Sequence, residues 1–145
     1  MVSIDVPQSR ADVYDFLDVM ANHEPFTNHM LRDWTFDGSP SGVGSKARMT
    51  AVMPGRTDTV DMEVVEAERP VRTVERSISA KGKRVTTGTY ILAELPDGGT
   101  RVTFTLAWSQ APLGDQLFAP LTRAVVRRGN ERSMQRLAGQ LGTRS

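Results

Sequence analysis

From Trp34 onward the chain alternates apolar and polar residues in one short segment after another; near Leu113 the period changes to that of a helix. That change is the strongest constraint on the fold. Alternating segments joined by short turns make an antiparallel sheet with one apolar face. The tract from Leu113 to Leu141, as one helix or two pieces nearly in line, is then available to cover that face. Where such a sheet curves, a helix laid across it closes it only in part, and a cavity is expected between them.

The helical tract carries two apolar stripes. Leu117, Phe118, Leu121, Ala124 and Val125 share the first, and Met134, Leu137, Ala138 and Leu141 the second. At about 100° per residue the stripe centres lie well over a quarter turn apart. The run 127–133 between them is polar, with the helix-weakening Gly129 inside it, and Pro120 marks a helix start or a bend. A surface helix bent around a core explains the pattern, and so does a polar segment spanning a cavity mouth.

Ahead of the sheet, Val2, Ile4 and Val6 read as a half-buried strand ended by Pro7. Ser9 is placed to cap a helix, with Asp12 three residues on, and Val13, Phe16, Leu17 and Met20 follow at helical spacing. Pro25 opens a second short helix with Phe26 and Met30 turned inward. Among the strands, Met49 and Met62 sit at inward positions of alternating segments, with Pro54-Gly55 as the turn between those two strands. The segment from Val71 to Ile78 is poorly patterned, with Val74 and Ile78 assigned inward. Pro96-Asp97-Gly98-Gly99 is a hairpin turn between 86–95 and 101–109. This order predicts an α+β fold in one domain over 1–145, with two short helices between the first two strands.

Composition removes several classes of function. The chain has no cysteine, which excludes disulfides, thiolate metal sites and cysteine nucleophiles. A net charge of +1 offers no general argument for nucleic acid, although arginines 123, 127, 128, 132 and 136 form a local basic strip on the last helix. The first residues lack the pattern of a signal peptide, and no apolar run approaches the roughly 20 residues that span a bilayer. A cytoplasmic protein is expected. His23 and His29 have no third ligand at a motif spacing, so neither a metal nor another cofactor is expected.

Several local sequences resemble the polyketide cyclase/dehydrase and lipid-transport family of the START-like, helix-grip superfamily. Ile4-Asp5-Val6-Pro7 leading into Val13-Tyr14-Asp15-Phe16-Leu17 is similar to that family's opening strand, proline and first helix. Gly42-Val43-Gly44-Ser45 resembles its glycine turn, and Val65-Glu66-Ala67-Glu68-Arg69-Pro70 its strand-ending corner. Gly88-Thr89-Tyr90 with Gly98-Gly99-Thr100-Arg101-Val102-Thr103 resembles its late hairpin. The resemblance implies a seven-stranded antiparallel sheet gripping the C-terminal helix, with an apolar cavity between them. Aromatic cyclases, sterol and hormone binders and lipid carriers share that fold, which leaves the reaction open.

The expected cavity wall draws on Met49, Met62, Tyr90 or Ile91, Phe104, Leu106 and Trp108 from the strands. Leu117, Leu121 and Val125 are the expected closing face, with Phe26 and His29 at the entrance. For catalysis, alternation turns Arg48, Asp61 and Glu63 to solvent, leaving His29, Tyr90 and the polar helix segment around Arg128 as candidate acid–base groups. No Ser/His/Asp order, HExxH pair or phosphate loop is present. Three readings follow, in order of preference. The first is binding of an apolar or aromatic small molecule by a monomer or homodimer. The second is an aromatic polyketide cyclase or dehydratase. The third is an interaction protein whose arginine strip meets a membrane surface or a ribosomal partner.

Overall fold

The computed structural model describes residues 1–53, 55–117 and 119–143. Pro54 of the expected turn and Phe118 of the first helical stripe lie outside the described residues.

Seven strands make one sheet: β1 (Val2–Val6), β2 (Leu31–Gly38), β3 (Ser45–Met53), β4 (Arg56–Glu68), β5 (Arg72–Ser79), β6 (Arg84–Glu94) and β7 (Thr100–Gln110). Their order across the sheet is β1-β7-β6-β5-β4-β3-β2, with every neighbouring pair antiparallel. Between β1 and β2 come α1 (Arg10–Asp18), a 3-10 turn at Met20–Asn22 and α2 (His23–Thr27). After β7 the chain forms α3 (Leu113–Leu117) and the long α4 (Ala119–Gly142). A seven-stranded antiparallel sheet around a long C-terminal helix is the helix-grip arrangement.

Local chemistry explains the elements. Ser9 caps α1, its Oγ accepting the Asp12 amide at 3.3 Å, and Val13, Tyr14, Phe16 and Leu17 turn to the core. The helix stops at Asp18 because Val19 returns to extended backbone and bridges Ser41. The last hairpin closes through Gly98, whose φ of 87° suits a residue without Cβ.

The interior is divided. One buried cluster joins β1, β6 and β7 to α1 and the C-terminal half of α4 through Val6, Phe16, Leu92, Val102, Met134 and Leu137. Burying a side chain such as Leu137 contributes about 1.5–3 kcal/mol. A second cluster, Met20, Trp34, Ala47, Met49, Val60, Met62 and Val64, lies under β2, β3 and β4.

Gly129 is a packing residue of α4, not merely a weak point: a Cβ there would stand 2.8 Å from Sδ of Met30. Its missing side chain lets the turn between α2 and β2 approach the helix. Ile78, expected inward, pairs instead with Asp61 and Val85 on the outer face of the sheet.

Candidate functional site

The two clusters do not meet. On the central strands Ser77 pairs with both Met62 and Thr86, and Gly88 pairs with Glu75. Inward positions there carry Ser77 and Ser79 on β5 and Thr86 and Gly88 on β6. Side chains this short leave the middle of the sheet unfilled, and a partly open cavity of about 170 Å³ remains under α4.

Its walls combine members of both clusters. Met62 of β4, Tyr90 of β6 and Phe104, Leu106 and Trp108 of β7 line it, as the alternation of those strands implies. Trp34 of β2 joins them, and Thr122, Val126, Asn130, Ser133 and Met134 of α4 form the roof. At one end Asp115 of α3 accepts hydrogen bonds from Arg56 Nη2 at 2.9 Å and Arg84 Nε at 2.7 Å, while Arg84 Nη1 donates to Asp58 at 2.7 Å. The Arg84 hydrogen bond, above all, holds the Asp115 carboxyl below the usual range.

Six expected site residues lie elsewhere. Leu117 and Leu121 are 71% and 65% exposed, because α3 and α4 turn the mixed face of Thr122, Val126 and Asn130 to the sheet and leave the leucines outside. Val125 is half-buried and absent from the wall. Phe26 is fully buried among the Phe16 and His23 rings rather than at an entrance. Met49 belongs to the interior of the second cluster.

His29 is a clasp between helices. Its Nε2 donates to the Gly129 carbonyl at 3.0 Å, and its Nδ1 accepts from Arg136 Nη1 at 2.9 Å. Burial pushes its pKa down, in keeping with that neutral tautomer. Ile91, the alternative to Tyr90, faces solvent. Arg48 and Asp61 pair on the outer face at 2.7 Å. Arg128 is exposed, whereas Asn130 and Ser133 of the same polar run reach the cavity.

The residue that sequence reasoning missed is Glu75 of β5, 7% exposed and part of the cavity wall. Burial alone pushes its carboxyl up to about 8. His23 stands 3.9 Å away through Nδ1, but its Nε2 donates to the Leu17 carbonyl at 2.6 Å and burial pushes its pKa down. The contact is therefore between two neutral groups rather than an ion pair. Tyr90, edge-on to His23, is pushed well up by burial and then by the Glu75 charge. Among the described residues, the Glu75 carboxyl, the Tyr90 hydroxyl and the carboxamide of the buried Asn130 have no hydrogen-bond partner. These three polar groups thus border a space whose wall is mostly, though not wholly, apolar. The available signal was the hairpin register, which places 75, 77 and 79 opposite 88, 86 and 84.

The family described as polyketide cyclase / dehydrase and lipid transport matches residues 1–142. The chain belongs to that family. No curated protein sequence matches it. Among solved structures, TTHA0849 from Thermus thermophilus is similar with a TM-score of 0.79 at 19% identity, over 99% of this chain and 97% of that one. The Zhui aromatase/cyclase from Streptomyces sp. R1128 gives 0.73 at 15% identity, over 99% and 92%. Ara h 8.0201 gives 0.68 at 14% identity, over 98% and 95%. At these identities the structural likenesses establish the fold of this polyketide cyclase/dehydrase and lipid-transport family member, and its chemistry rests on its own residues.

Among the described residues, no helix is long and apolar enough to cross a membrane, and no three His, Asp or Glu side chains are grouped to hold a metal ion.

Proposed function

We propose that this protein binds a small apolar or aromatic molecule in the cavity between its sheet and α4. The observation that carries the reading is the wall itself, in which Met62, Phe104, Leu106 and Trp108 face a space that the two core clusters leave unfilled. A dry cavity of about 150 Å³ takes up a single aromatic ring, so about 170 Å³ suits a guest of one or two rings better than a sterol. Native mass spectrometry of gently purified protein, with calorimetric titration of one- and two-ring hydrocarbons, tests this. Uptake is expected, and Leu106→Trp, which fills the space from β7, should abolish it while the protein stays folded. No uptake by the folded wild type overturns the reading.

A second reading, cyclisation or dehydration of a keto substrate, is favoured by one group. Glu75 holds a proton at neutral pH inside an apolar space beside Tyr90, the condition in which a carboxyl serves as general acid. Glu75→Gln and Tyr90→Phe should then slow turnover of a poly-ketone without unfolding the protein. His29, committed to Gly129 and Arg136, has no part in this chemistry. Unchanged rates in both variants would sink the second reading alone.

A further inference from the structure

The apolar wall says that a guest is greasy; the polar groups in it say more. Glu75 from the floor and Asn130 from the roof are 7% and 9% exposed, both border the cavity, and neither has a hydrogen-bond partner among the described residues. Neither side chain is sealed inside protein atoms; both polar ends open onto the cavity, and two such groups on opposite walls, without a protein partner, suit a partner that enters it.

We propose that the guest is an uncharged ring compound bearing an accepting oxygen, such as a ketone, which the Glu75 carboxyl and the Asn130 carboxamide hold by hydrogen bonds. The inference rests on the reading of the cavity as a binding site and narrows it to neutral, oxygenated guests. A carboxylate guest is disfavoured, because Glu75 would have to meet it in a space that already penalises one negative charge. Among the described residues Arg84 is the only cation on the wall. It stands four β5 residues away opposite Ser79, roughly 13 Å along the strand, with Nε on Asp115, Nη1 on Asp58 and only its Nη2 left without a partner. The ring surfaces suit such a guest. Phe104 lies against Tyr90, with ring centres 4.6 Å apart, and Trp108 continues the same face of β7.

The proton on Glu75 gives the arrangement a signature. Its carboxyl donates below about pH 8 and loses that capacity above. The titratable groups facing it are His23 from α2 and Tyr90 from β6; α4 contributes the uncharged Asn130.

Calorimetry on the intact protein with 2-tetralone, naphthalene and 2-naphthoate tests the proposal. Tetralone should bind about tenfold or more tighter than naphthalene, and naphthoate more weakly than either. Tetralone affinity should fall as pH rises past 8. Glu75→Gln should keep the affinity and lose the pH dependence, and Glu75→Leu and Asn130→Leu should each erase the preference for the ketone. Equal affinity for tetralone and naphthalene in the wild type overturns this proposal while leaving the apolar-guest reading intact. Preference for naphthoate also overturns it. Failure of all three probes to bind overturns both.

Discussion

Phe104 lies over Gly88: a Cβ at that glycine would stand 3.0 Å from Cε1 and Cζ of the ring and 3.1 Å from Cγ of Glu75. The absent side chain seats the ring beside the acid. Gly88→Ala should push the Phe104 ring into the cavity, lower stability by about 1–3 kcal/mol and weaken uptake of two-ring guests. Thermal unfolding and calorimetry of the same variant read both effects; unchanged guest affinity would contradict the placement of Phe104.

The buried carboxyl sets a pH dependence of unusual sign. Glu75 titrates at about 8 when folded, against 4.5 as its ordinary value, so the folded state holds a proton that the unfolded chain has released. Its contribution to stability is complete below 4.5, is lost as pH rises to about 8, and is level above. Glu75→Gln should therefore stabilise the protein on the order of 3 kcal/mol at pH 7, and much less at pH 4.5. Urea unfolding at the two pH values checks this, and an equal effect at both would refute it.

His29 gives the opposite slope. Its pKa is lowered by burial, so the stability it supports is complete above its ordinary 6.5 and is lost as pH falls below that value. A protonated Nδ1 would also face the Arg136 group that now donates to it. His29→Ala should cost about 1–2 kcal/mol, with faster amide exchange around Gly129 and no change in ketone preference. A lost ketone preference with the fold intact would instead make His29 part of the site.

The outward leucines and the roof separate cleanly. Leu117→Ala and Leu121→Ala should each alter stability by under about 0.5 kcal/mol, since both side chains are largely in solvent. Met134→Ala, at a side chain 2% exposed that joins the core to the cavity, should cost about 2–5 kcal/mol. Denaturant midpoints of the three variants make the comparison.

Periodicity was readable wherever an apolar face meets a core. Val13, Phe16 and Leu17 on α1, and Phe104, Leu106 and Trp108 on β7, announce their inward faces because packing or ring contact selects apolar residues there. It misleads where an element faces the cavity. On β5 the inward residues are Glu75, Ser77 and Ser79, so the apolar Ile78 marks the outer face, and a bulge between Val64 and Glu66 on β4 shifts the pairing further. On α4 the same inversion makes Leu121 look inward while Thr122, Val126 and Asn130 form the roof. Distances such as that from His29 to Gly129, a hundred residues apart, leave no trace in local spacing.

Every buried residue described in α4 falls at or beyond Asn130; the turns before it touch the cavity without being buried. The helix is thus seated at one end and cantilevered at the other, over an interior that lacks its last few carbon atoms of filling. A bound molecule would take the place of that absent side chain. Occupancy would then register as slower amide exchange along 119–129, and as added heat resistance that rises with ligand concentration.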